Sequence, residues 1–112
     1  MVAVAQFIPQ DPKEKESVLT VLREHPELHQ FIQSAVQQAN EIFPEPRVAL
    51  DSTRYEDIDP PVRLLLYVSE SLIAFDRHYH RYARWLAYEA GYPQELISVM
   101  PLWSGSPKSG SA

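Results

Sequence analysis

The chain of 112 residues contains no cysteine. That excludes a disulfide framework, a thiolate zinc site and a cysteine nucleophile. It has only three glycines, and two of them, Gly105 and Gly110, sit near its end. A glycine-rich loop that cradles phosphate is therefore missing, as are a nucleophile-elbow serine and an HExxH metal-hydrolase spacing. No run approaches the roughly 18 apolar residues that a bilayer span requires, so no membrane association is expected. Positive charge is in deficit, with a net charge of −5. The molecule as a whole should not be drawn to nucleic acid or anionic lipid, although a local basic patch is still allowed.

What is present fits one ordinary globular domain. The hydrophobic fraction is 45%, and a chain of this length buries roughly two-thirds of its unfolded surface. The opening MVAVAQFIP has no Lys or Arg ahead of its short apolar run, which argues against a signal peptide. Residues 1–11 read as an N-terminal arm, either a strand or a packed segment, and residues 12–103 as a single α+β domain. Residues 104–112, SGSPKSGSA, have the composition of a disordered tail. A cytoplasmic location is the expectation.

Asp11-Pro12-Lys13-Glu14 is a helix start, with Asp11 as cap, Pro12 in the first turn and Glu14 completing a capping-box pattern. Val18, Leu19, Val21 and Leu22 point to a core. His25-Pro26 interrupts this helix, because a residue before proline disfavours helical geometry. The next helix has the clearest periodicity: Leu28, Phe31, Ile32, Ala35, Val36, Ala39, Ile42 and Phe43 form one apolar stripe. Its other face is rich in amides, and Pro44 ends it. Arg47–Ser52 alternates like a half-buried strand, and Val62–Ser69 is the strongest strand signal. The acidic, stiff loop 55–61 joins them, most simply as an antiparallel hairpin. A helix over 71–90 follows, with Gly91 beyond its end, and Glu95–Trp103 reads as a third strand or an extended segment. The order predicts a small antiparallel sheet of two or three strands with helices packed on one face. Its open edges need cover, which a partner chain supplies in many proteins.

The stretch FDRHYHRYARW, Phe75–Trp85, is the densest in chemistry. A core stripe of Leu72, Phe75, Tyr79, Tyr82 or Ala83, Leu86 and Ala90 accounts for most of its aromatics. Arg77, Arg81 and Arg84 align at i, i+4 and i+7, with His78, Arg81 and Trp85 along a neighbouring edge. Two readings fit this pattern. One is a solvated face laced with intrahelical ion pairs. The other is a basic-aromatic docking surface made of Arg77, His78, Arg81, Arg84 and Trp85, residue types that dominate interfaces.

Asp76 and His80 sit one turn apart, as two metal ligands would. A closed site needs a third or fourth ligand, from Glu70, Glu89 or the Glu56-Asp57-Asp59 loop. His78 points about 200° away around the helix, and the arginines oppose a cation. No metal and no cofactor are expected. His25 and His29, also one turn apart, read as a boundary residue and a solvated residue.

The layout over about residues 12–100 resembles that of small bacterial α+β proteins found as one half of two-component modules, such as toxin–antitoxin pairs. The resemblance rests on size, element order and the Arg/His/aromatic third helix, and it implies a protein partner. Taken together, the sequence points to a small protein-interaction module that presents a basic-aromatic helix face to an acidic partner. A protein partner is expected, a homodimer is one form it could take, and nucleic acid is disfavoured by the net charge. The alternative is a small nuclease-like enzyme with His80 or His78 as base and Arg77 or Arg81 on phosphate.

Overall fold

A computed structural model describes residues 4–54 and 56–106. Val4–Phe7 is a single 3-10 turn that buries Val4, not a strand. Three helices follow in chain order: α1, Pro12–Glu24; α2, Glu27–Ile42; and α3, Leu72–Tyr88. The strands are β1, Arg47–Asp51; β2, Val62–Val68; and β3, Ile97–Trp103. The fold is α+β. None of its helices is long and apolar enough, among the described residues, to cross a membrane.

At the start of α1 the Asp11 cap and Pro12 act as expected, and the Glu14 part of the pattern does not. The Asp11 carboxylate accepts from the Glu14 N–H at 3.1 Å, and Pro12 occupies the first turn. Glu14 does not close a capping box. Its carboxylate instead reaches across to β1, accepting from the Ser52 N–H at 2.7 Å and the Ser52 hydroxyl at 2.8 Å. Ser71 caps α3 by accepting from the Ala74 N–H. Beyond the other end of α3, Gly91 adopts a left-handed φ of 63°, where a side chain would be strained.

The sheet order is β1-β2-β3. β1 pairs antiparallel with β2, so that Leu50 faces Leu64 and Val48 faces Leu66. β3 pairs parallel to β2, with Val62 beside Ile97 and Leu64 beside Val99. The sheet is therefore mixed and not purely antiparallel. The cause is α3, which carries the chain back along the sheet so that β3 starts at the same end as β2; parallel neighbours require such a crossover. β3 is an edge strand, and Pro101 within it lacks the N–H that an added strand would seek.

Successive strand residues alternate between faces. Val62, Leu64, Leu66 and Val68 are fully buried and share one apolar cluster with all three helices. On the opposite face, Leu65 lies between two polar pairs. Arg63 binds both Asp51 oxygens, at 2.6 and 2.7 Å, and the Arg47 guanidinium lies 4.7 Å over the Tyr67 ring.

The apolar stripe of α2 packs as read, from Leu28 to Phe43. The stripe of α3 is rolled from the expected one. Leu72 is 56% exposed and Tyr79 39%, whereas Tyr82 and Leu86 are buried, with Phe75 and Trp85 packed against the cluster. Two long-range contacts set this roll. Phe75 stacks on Phe43 at 6.0 Å, and the Tyr82 hydroxyl donates to the Ala35 carbonyl at 2.7 Å.

Burial first, and the Tyr92 hydroxyl second, push the Tyr82 phenol well above the ordinary tyrosine range. A group whose affinity for its proton is higher folded than unfolded stabilises the fold fully below its unfolded value. Above about pH 10 the unfolded chain begins to release that proton while the folded chain retains it, and the stabilisation is lost. Tyr82→Phe should cost about 1 kcal/mol at neutral pH and should flatten the decline in stability above pH 10. Urea titrations at neutral and alkaline pH measure both effects. An unchanged alkaline slope in the variant would contradict this role for the phenol.

Candidate functional site

The roll of α3 sorts the residues of its Arg/His/aromatic segment. Tyr82 marks the middle of the inward arc, and at 100° per residue Ile73, Arg77, His80, Arg81, Arg84 and Tyr88 lie on the outward side. All six are exposed, with Ile73 at 77% and Tyr88 at 82%. The stripe rises about 22 Å along the axis from Ile73 to Tyr88. It is apolar at each end and cationic between, and a shallow depression lies among His80, Arg81 and Arg84.

The other arginines of the chain all have partners. Arg23 pairs with Glu16, Arg63 with Asp51, Arg54 donates to the Asp57 carbonyl, and Arg47 covers Tyr67. Arg77, Arg81 and Arg84 have no ion pair or hydrogen bond to another side chain among the described residues. The intrahelical ion-pair lattice that the spacing permits is not formed, because Asp76, the carboxylate on that side, faces His80 at 3.6 Å. Three bare guanidiniums on successive turns repel one another modestly and leave a local positive field on an acidic protein.

The other two members of the expected contact set turn inward. His78 is part-buried, its ring N–H within 2.9 and 3.0 Å of the two Glu70 carboxylate oxygens, and its ring edge-on to Phe43. A carboxylate only accepts, so Nδ1 carries the proton of this bond. Trp85 lies half-buried, 5.7 Å from the Tyr82 ring. Both support the helix from behind, while the three arginines form its front.

Glu70 is the buried charged residue among the described ones. Its side chain holds His78 of α3, and its backbone carbonyl accepts the Trp103 indole N–H of β3 at 2.7 Å. One residue thus fastens the start of α3 to the end of the sheet. Just beside it, Ser104 donates through both its N–H and its hydroxyl to the Val68 carbonyl, and the Ser69 hydroxyl donates to the Gly105 carbonyl. The rest of the tail, 107–112, lies outside the described residues.

His78 and His80 are not brought to one site. His80 is exposed, its Nδ1–H directed 2.8 Å to the Asp76 carbonyl one turn back, which leaves Nε2 to solvent. His25 ends α1, 3.9 Å from Glu27, and His29 is exposed on α2. Among the described residues no three His, Asp or Glu side chains converge as ligands. A separate concavity of about 220 Å³ on the open sheet face is lined by Thr53, Asp59, Pro60, Arg63, Ser98 and Met100. Its arginine is already held by Asp51.

Ile73 and Tyr88 were not singled out by the sequence reading, although the signal was there. They stand four residues before Arg77 and four after Arg84, on the same face by spacing alone. Glu70 carried no such signal, since its partners His78 and Trp103 lie 8 and 33 residues away. No protein-family model, curated protein or solved structure matches this chain.

Proposed function

We propose that the chain is a small protein-interaction module whose outward α3 face docks an acidic partner. The observation that carries this reading is the set of three exposed arginines without partners among the described residues, on a chain whose other arginines are all engaged. Arg77, Arg81 and Arg84 are the charged contacts, and Ile73 and Tyr88 are apolar anchors at the ends. His78 and Trp85 position the helix. Guanidinium pairs carboxylate with two parallel N–H donors, a geometry that ammonium lacks. A cognate acidic protein, as in a two-component module, suits such a face, and a cytoplasmic setting suits a chain without cysteine. The nuclease alternative has less support, because His78 is committed to Glu70, and His80, which faces Asp76, shares no site with it.

The test is a fluorescence-anisotropy titration with a labelled oligoglutamate peptide, against the chain and its Arg77→Ser, Arg81→Ser, Arg84→Ser triple variant. Exposed charge pairs contribute about 0.5 kcal/mol each, so losing three should weaken binding about tenfold. Raising salt should weaken the wild type and leave the variant little changed. The melting temperature should stay level, because these side chains hold nothing inside the fold. Equal affinities, or a variant that unfolds, would refute the docking face.

A further inference from the structure

The chain carries a surface complementary to its own α3 face. The β1–β2 loop holds Glu56 and Asp57, both exposed, followed by Ile58 at 86% exposure. The turn is closed by its own bonds. The Asp59 N–H donates to the Glu56 carbonyl at 3.0 Å, the Glu56 N–H to the Asp59 carboxylate at 2.9 Å, and Arg54 clamps the Asp57 carbonyl. These bonds use backbone groups, the Asp59 carboxylate and the Arg54 guanidinium. The Glu56 and Asp57 carboxylates form no ion pair among the described residues. The turn thus presents two exposed carboxylates and an exposed isoleucine side by side, held in place by its own bonds.

We infer that the acidic partner of the α3 face is a second copy of this chain, which docks its Glu56–Ile58 turn on Arg81, Arg84 and Tyr88. This rests on the reading of α3 as a docking face and names its occupant. Adjacent loop carboxylates match adjacent guanidiniums one helical turn apart, about 5–6 Å between Cβ atoms. Ile58, next along the loop, then meets Tyr88, next along the helix. Both surfaces are present on every copy, so each molecule can give a loop and receive one.

The stripe, about 22 Å long and one helix wide, is far below the roughly 800 Å² per partner of a standard interface. The association is therefore weak, concentration-dependent and sensitive to salt. It is a reversible self-contact and not an obligate dimer.

Sedimentation equilibrium of the full chain should show the average mass rising above 12.9 kDa with concentration at low salt, and returning to it at about 1 M salt, where the screening length is about 3 Å. Arg84→Glu and Asp57→Arg should each weaken self-association at least about tenfold, since each sets like charges face to face. An equimolar mixture of the two variants should associate again, because every contact between unlike chains is once more of opposite sign. Two results would overturn the inference: a wild type that is monomeric at every concentration, or a dimer indifferent to both reversals and to mixing. If self-association is absent while oligoglutamate binding still depends on the three arginines, the self-docking inference fails and the docking face stands. If the peptide binding is also indifferent to those arginines, both fail.

Discussion

Replacing Phe43 by alanine should cost about 3–5 kcal/mol, the usual toll for emptying a buried aromatic site. Phe43 is 2% exposed at the end of α2, where its ring meets three others: Phe75 at 6.0 Å, His78 at 6.1 Å and Tyr82 at 5.5 Å. All three belong to α3, so the ring is the bearing against which that helix is rolled. Its removal leaves a void that the facing rings fill only in part. In a domain of this size the melting temperature should fall by more than about 10 °C. Phe43→Leu, which keeps most of the volume, should cost under about 1.5 kcal/mol. Denaturant titration of both variants decides the matter. A loss below about 1 kcal/mol for the alanine form would show that α3 is held by something else.

The second large effect is expected at Glu70. Glu70→Ala strips a part-buried imidazole N–H of its acceptor, and a donor left unsatisfied costs about 1–3 kcal/mol. His78→Leu alone should cost less than Glu70→Ala only if the orphaned carboxylate finds water through the narrow opening beside it, and it is 8% exposed. The more telling variant replaces both residues by leucine. A buried polar pair exchanged for apolar side chains of similar size is often neutral, so the double change should recover most of the loss of either single one. A double-mutant cycle with Glu70→Leu and His78→Leu as its single variants, measured by denaturant titration, gives the coupling directly. Strictly additive losses would mean that the two side chains do not hold each other. The Trp103 indole bond to the Glu70 carbonyl is untouched in every variant, which keeps β3 anchored while the side-chain pair is tested.

These residues show where the sequence was legible. The α2 stripe, the Asp11 cap and the Pro26 and Pro44 breaks were readable because each signal acts within a turn of its own residue. The alignment of the three arginines was readable for the same reason. The direction of β3 could also have been read, since a strand, a helix and a strand in succession form a crossover unit. An antiparallel expectation followed from the hairpin before it. Glu14 shows the opposite case. Its spacing from Asp11 fits a capping box, yet Ser52, 38 residues away, offers two donors at once and takes the carboxylate.

The sequence by itself determined the spans of the helices, the two main strands and the presence of a cationic row on the last helix. Periodicity and caps are properties of neighbours four residues apart or fewer. Only the tertiary structure decided which way α3 faces. Leucine and tyrosine at 72 and 79 are as apolar in the sequence as the residues that do go inside, and nothing local ranks them. The choice was made by Phe43, Ala35 and Glu70, which meet the helix from other elements and together turn His78 and Trp85 inward and Arg77, Arg81 and Arg84 to water.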